Sequence, residues 1–224
     1  GCDVTDEHDC RAAIERVVAT WGGVDVLVAN AGISHRSLFA ETDVAVLRRV
    51  VDVNLFGAIH ATQAALPSLL ARRGIVIGVS SVAGFAPLVG RTGYAASKHA
   101  LHGFFDSLRA ELHGTGVDVM LVCPSFVATA IERHAVDGGG RPLGDGPRAV
   151  SGRVMTPEAL AHAVVRAAAK RRRLVLPSAL SRAAWWLSRL APRLYEASMR
   201  RTQGGEFEAA PRPSPRAVAS PARW

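Results

Sequence analysis

The chain has 224 residues, 49% of them hydrophobic, and a formal net charge of +8. That is enough apolar material to bury a core, and no apolar run approaches the roughly 18 residues needed to span a bilayer. The three cysteines, Cys2, Cys10 and Cys123, are odd in number and lack a framework spacing, which argues against a disulfide scaffold and for a reducing compartment. Residues 1–149 carry 13 basic and 15 acidic groups, whereas residues 150–224 carry 14 and 4, so the basicity belongs to the C-terminal third.

In chain order, Cys2-Asp3-Val4 reads as the end of a strand, and Asp9 to Trp21 as an amphipathic helix with Ala13, Ile14, Val17 and Val18 on one face. Gly23-Val24-Asp25 turns into Val26-Leu27-Val28-Ala29, an apolar strand suited to the middle of a parallel sheet. Asn30-Ala31-Gly32 ends it, with small residues that let the backbone approach a flat ligand and an Asn30 amide that can tie strands together or contact a ligand. Asp43 to Leu70 has helical spacing, interrupted near Gly57, with Asn54 inside its apolar run. A polar amide there must find partners, either as a core asparagine bonding neighbouring backbone or as part of a site.

Ile75-Val76-Ile77-Gly78-Val79 reads as a buried strand that delivers Ser80 and Ser81 at its carboxyl end, where ligands bind in open α/β sheets. The apolar residues Phe85, Leu88 and Val89 then wall a pocket or lie under it. Tyr94 and Lys98 are four apart, so on a helix phenol and ammonium share a face. A tyrosine titrates near pH ~10, and a nearby cation favours its phenolate, which makes the two a proton-transfer pair. The chain has only two lysines among 27 cationic side chains, Lys98 and Lys170, so lysine at 98 stands out against an arginine background.

The helix continues to Gly114 or Gly116, and Val117 to Cys123 is the next strand, followed by Pro124-Ser125-Phe126-Val127-Ala128-Thr129. His99, His102 and His113 have no familiar ligand spacing, and no metal is expected. Residues 132–155, rich in Gly, Pro and Arg, read as a lid. Thr156-Pro157 opens a helix that ends in Lys170-Arg171-Arg172-Arg173, before a short strand Leu174-Val175-Leu176. Leu180, Ala184, Leu187, Ala191 and Leu194 make an apolar stripe beside arginines, bent at Pro192, with Trp185 and Trp186 near its edge. Residues 178–201 therefore suit a peripheral, anionic membrane surface, or pack on the core or a second subunit. Residues 204–224 read as a disordered, proline-rich tail. No aromatic platform or recognised module accompanies the arginines, so nucleic acid is not an expected partner.

Asn54, Ser81, Tyr94 and Lys98, in that order and spacing, together with Asn30-Ala31-Gly32 and Pro124 to Thr129, resemble the short-chain dehydrogenase/reductase family. The resemblance covers about residues 1–175 and implies a Rossmann-like, doubly wound parallel sheet of α/β class. It enters late: two βα units, roughly 50 to 60 residues at about 30 per βαβ unit, and the glycine-rich pyrophosphate turn have no counterpart here. The expectation is a partial catalytic domain over 1–176, a basic helical extension over 177–203 and the tail beyond, opening without a signal peptide as a fragment or a shortened protein, cytoplasmic or membrane-peripheral.

The family implies NAD(P), with NADP(H) slightly favoured, and a small carbonyl or alcohol substrate. It implies Tyr94 as general acid/base, Lys98 lowering its pKa and holding the ribose, Ser81 on the carbonyl oxygen and Asn54 in a proton relay. Cofactor contacts are implied for Asp3 and Val4 at the adenine, for Asn30, Ala31 and Gly32, and for Pro124, Val127 and Thr129 at the nicotinamide. The family usually has Pro-Gly where this chain has Pro124-Ser125. Its oligomers imply a homodimer or tetramer. A competing reading is an impaired relative that serves as a dimerisation or membrane-surface module.

Overall fold

The structure, a computed structural model, describes residues 1–131, 133–144 and 152–208. The apolar runs form four strands, β1 (Val26–Ala29), β2 (Ile75–Val79), β3 (Asp118–Val122) and β4 (Leu174–Val175), all parallel and paired in the order β1-β2-β3-β4. Parallel neighbours need crossovers. Helices α2 (Val44–Val51) and α3 (Gly57–Arg72) connect β1 to β2, α4 (Thr92–Glu111) connects β2 to β3, and α5 (Pro157–Ala169) connects β3 to β4, while α1 (Glu7–Trp21) precedes the sheet.

The pleat sends alternate residues to opposite faces. Val76, Val119 and Leu121 pack with Leu69 of α3 and Leu101, Phe105 and Leu108 of α4, and Ile14 and Val17 of α1 lean on the same cluster. Ile75, Ile77, Met120 and Val122 face the other way, against Leu160 and Val164 of α5. The sheet is thus covered on both faces, the arrangement of a Rossmann-like α/β fold.

Two strand expectations change. Residues 1–3 join no strand ladder and run into a turn at Val4-Thr5, because no strand among the described residues lies beside them: Asp3 instead accepts from the Thr5 amide and hydroxyl, at 2.9 and 2.8 Å. And β1 is an edge strand among the described residues, not a central one. Val26 and Val28 sit opposite Ile75 and Ile77 on the α5 face, yet α5 does not reach them, leaving them 51% and 50% exposed. Periodicity reported their affinity for burial but not whether a neighbour would come.

Local signals place the helix ends. Asp6 caps α1 by accepting from the His8 and Asp9 amides, and Gly22 ends it at φ +77°, a conformation glycine adopts without strain. Thr156 caps α5 with Pro157 at its first position, as expected. Between α2 and α3 the helix widens into one π-type turn, Asp52–Phe56, which carries Asn54. The C-terminal segment forms α6 (Ala179–Leu190), opened by a Ser178/Ser181 capping box, then α7 (Pro192–Gln203) and a short α8 (Gly205–Glu208). The start of the expected tail is therefore helical, and residues 209–224 lie outside the described residues.

Phe105 is fully buried and its ring lies on Gly78, where an added Cβ would collide with it. Phe105→Ala is expected to cost about 3–5 kcal/mol of unfolding free energy, read by denaturant titration, because neighbours anchored in the sheet cannot collapse into the space left.

Candidate active site

A cleft of about 330 Å³ opens at the carboxyl ends of β2 and β3. Strand β2 ends in Ser80 and Ser81, held by the Ser80 amide to Val122 O (2.8 Å) and the Val82 amide to Pro124 O (3.0 Å). Ser81 caps a short 3-10 turn, Val82–Gly84: its oxygen accepts from the Ala83 amide at 3.1 Å, which leaves the hydroxyl proton to donate into the cleft. Tyr94 and Lys98 do share a face of α4, and both line the cleft with Ser81.

Lys98 is the most constrained of these groups. It is 3% exposed, its ammonium donates to Val79 O at 2.9 Å, and it stands 5.8 Å from the Tyr94 ring centroid. Burial pushes its pKa from 10.5 down to about 8, so at neutral pH it remains a cation beside the phenol. Beneath it Ser80 donates to Lys98 O (3.3 Å) and meets His102 Nε2 (3.1 Å), which also contacts Cys123 Sγ (3.5 Å). Burial lowers His102 to about 4 and raises the Cys123 thiol to about 12, so both stay neutral. Ser80, which also lines the cleft, and His102 are thus engaged with each other, and no group of three or more potential metal ligands assembles among the described residues.

Asn54 is buried and fully engaged. Its Nδ2 donates to Ile33 O (3.0 Å) and Ser97 Oγ (2.9 Å), and its Oδ1 accepts from the Ile33 amide (2.8 Å). Ser97 in turn donates to Tyr94 O (2.8 Å). Asn54 therefore ties the segment after β1 to the tyrosine helix, and with Lys98 it flanks Gly32: a Cβ there would lie 3.1 Å from Asn54 Oδ1 and 3.5 Å from Lys98 Nζ.

Of the implied cofactor contacts, Asn30, Gly32, Pro124, Val127 and Thr129 line the same cleft as Tyr94 and Lys98. Ala31, Asp3 and Val4 do not. Asp3 is engaged with Thr5, and Val4 O accepts from His60 Nδ1 at 3.1 Å on the far side of α3. Ser125, in place of the family's glycine, needs no left-handed backbone, and its hydroxyl meets Ser178 Oγ at 2.8 Å. The residues present thus fit the nicotinamide and ribose end of a dinucleotide.

The structure adds groups that the sequence reading missed. His35 is fully buried, and its Nε2 accepts the Gly93 amide at 2.8 Å, anchoring the start of α4; burial lowers its pKa and keeps it a neutral acceptor. Arg91, three residues before Tyr94, is buried at the cleft and donates to Val89 O at 3.2 Å. Leu88 lines the cleft as one alternative had it, whereas Phe85 lies beneath, edge-on to Trp185 at 4.9 Å.

The supposed extension forms the rest of the wall. Leu180, Ala184 and Leu187 of α6 and Tyr195, Met199 and Gln203 of α7 border the cleft. The single apolar stripe does not continue past Ala191, because the chain breaks there (φ −143°) and α7 turns its other face inward, leaving Leu194 exposed. Of the expected lid, residues 133–144 are fastened to the 34–43 segment through Arg36 N to Val136 O and Asp43 N to Gly138 O, and residues 145–151 lie outside the described residues.

A hydroxyl, a phenol and a buried ammonium thus line one cleft at the carboxyl edge of a parallel sheet in a Rossmann-like protein. The sequence profile of the short chain dehydrogenases matches residues 1–138, and the chain belongs to that family. It is 40% identical to dehydrogenase/reductase SDR family member 7B of Xenopus laevis over 196 residues, and 36% identical to an SDR family protein 7-like of Anopheles gambiae over 195. These alignments take in 86% of this chain but 60% and 61% of the relatives, so the chain spans about three fifths of their length. Among solved structures, a Streptomyces avermitilis short-chain dehydrogenase superposes with TM-score 0.75 at 25% identity, covering 92% of this chain and 80% of that one. One from Burkholderia phymatum in complex with NAD shares the fold, with TM-score 0.74 at 24% identity over 86% and 75% of the two chains.

Lys98 gives a pH signature. Between about pH 8 and 10.5 the unfolded chain holds a proton on this residue that the folded chain has lost, so raising pH through that window favours the fold. The unfolding free energy of the native chain minus that of Lys98→Met is expected to rise across that window and be flat below it, measured by urea titration at stepped pH.

Proposed function

We propose that the chain carries the catalytic centre of an NAD(P)-dependent oxidoreductase that interconverts a carbonyl and an alcohol. The observation behind this reading is that Ser81, Tyr94 and Lys98 border one cleft, with Lys98 buried and cationic beside the phenol. A nicotinamide bound there supplies or takes the hydride at the carbonyl carbon. Ser81 donates its hydrogen bond to the carbonyl oxygen and fixes its position. Tyr94 gives its phenolic proton to that oxygen in reduction and takes it back in oxidation, and Lys98 favours the phenolate form that completes the exchange. Asn54 positions Tyr94 through Ser97 rather than touching the reacting atoms.

Asn30, Gly32 and Lys98 would hold the nicotinamide-side ribose, and Pro124, Val127 and Thr129 the nicotinamide carboxamide. Asp3 and Val4 as adenine contacts, and NADP(H) as the preferred cofactor, rest on the family resemblance alone. Homodimers or tetramers through α3 and α4 are part of the same reading.

Tyr94→Phe is expected to lower carbonyl reduction with NADPH or NADH at least about 100-fold, the lower end of what a positioned acid contributes, while circular dichroism stays unchanged. Turnover at the native rate would remove Tyr94 from the mechanism. Saturable quenching of NADPH fluorescence by the chain is expected as well, and its absence would favour the reading of a binding module without redox activity.

Peripheral membrane contact is supported by the corner between α6 and α7. No helix among the described residues is long and apolar enough to cross a membrane, but Trp186, Leu190 and Leu194 are 61%, 77% and 66% exposed beside Arg193. Such a corner fits an interface of acyl chains and anionic headgroups. The chain is expected to co-sediment with phosphatidylserine-containing vesicles and not with neutral ones, and Leu190→Ser with Leu194→Ser is expected to abolish it.

A further inference from the structure

Helix α7, which borders the cleft, carries two buried polar atoms that no described residue satisfies. Tyr195 and Gln203 are 6% and 3% exposed, and Tyr195 Oη and Gln203 Oε1 are the only buried side-chain nitrogen or oxygen atoms among the described residues without a hydrogen-bond partner. Both residues line the cleft that holds Ser81 and Tyr94. An orphaned buried group weakens a fold unless something else completes it. With every other buried side-chain nitrogen and oxygen among the described residues paired, two orphans on one cleft-lining helix mark where a ligand supplies the missing bonds.

Their placement says what kind of ligand. Tyr195 belongs to one apolar cluster with Val82 and Ala86, just after Ser81, which sets this residue at the serine end of the cleft. Gln203 is eight residues further, about 12 Å along the axis at 1.5 Å per residue. Phe207 beyond it lies on Gly90, beside Arg91, so α7 runs from the serine turn toward the start of α4. Between the two polar atoms the wall is apolar, with Met199 of α7 and Leu180, Ala184 and Leu187 of α6. Burial holds the Tyr195 phenol at about 12, so it stays a donor, and the Gln203 oxygen is an acceptor.

We propose that Tyr195 and Gln203 are substrate-recognition residues, and that the substrate is an elongated, largely apolar ketone or secondary alcohol with two further oxygens: an acceptor close to the reacting carbon, bound by Tyr195, and a hydroxyl at the remote end, donating to Gln203. This rests on the oxidoreductase reading of the cleft. Neither residue takes part in the proton transfer. They select which molecule is presented to it.

The test uses three probe ketones with the whole chain, read by calorimetric binding: decan-2-one, 1-hydroxydecan-2-one and 10-hydroxydecan-2-one. Each hydroxyketone is expected to bind about fivefold more tightly than decan-2-one, the effect of one neutral hydrogen bond. Tyr195→Phe is expected to erase the advantage of the 1-hydroxy compound alone, and Gln203→Leu that of the 10-hydroxy compound alone. Because each substitution removes an orphan, the ligand-free variants are expected to melt at the native temperature or above it, which a residue serving only the fold would not do. Equal affinity for all three probes, no measurable binding of any, preferences that survive both substitutions, or a lowered melting temperature would overturn the proposal. Preferences that hold in a chain with no turnover on either nicotinamide would sink the oxidoreductase reading and leave the recognition sites standing. Turnover without preferences would do the reverse.

Discussion

The bond from the Lys98 ammonium to Val79 O is the constraint on which the site depends. It joins α4 to the last residue of β2, and it fixes two residues that line the cleft: Ser81 two residues past the carbonyl, Tyr94 one turn before the ammonium. A buried cation is costly unless a polar group meets it, and here the carbonyl of the last residue of β2 does so. The ammonium is thereby kept inside the protein but still charged at neutral pH. An arginine, larger and permanently ionised, could not give the same compact, tunable charge.

The parts legible in the sequence were those set by short-range spacing. Tyr94 and Lys98 share a helix face whatever surrounds them, Thr156-Pro157 carries its own start signal, and a β-branched run such as Ile75 to Val79 forms a strand with few alternatives. What escaped depended on neighbours distant in sequence. The apolar pattern of Val26 to Ala29 gave no hint that one side would lack a partner. Asn54 read as one amide in a helical pattern interrupted only near Gly57, whereas a wide turn over Asp52–Phe56 carries it and its side chain bonds both Ile33 and Ser97. The count of apolar residues in the C-terminal segment followed Leu194 outward and passed over Tyr195 and Gln203, which point inward because Pro192 resets the helix. Two polar residues eight apart carry no signal until the wall they complete is seen.

Behind the site, the C-terminal helices and the helix that carries Tyr94 and Lys98 are linked by direct contact. Arg189 stacks on Trp185 at 3.2 Å from the ring centroid, Trp185 meets Phe85 edge-on, Phe85 lies 6.2 Å from the His102 ring, and His102 reaches Ser80, which bonds Lys98 O. The charged side chain in this series is the arginine at its outer end, which also donates to Trp185 O at 3.3 Å. The series gives α6 a fixed position against the helix that carries Tyr94, so the wall and the reacting groups share one frame.

The bare flank of β1 has a consequence of its own. Its outward amides and carbonyls, with two half-exposed valines alongside, form an open template onto which any extended segment could be laid in register, gaining ladder bonds and covering Val26 and Val28 together. Among the described residues the sheet therefore has two unlike borders, the two-residue strand β4 on one side and the four-residue, half-exposed strand β1 on the other.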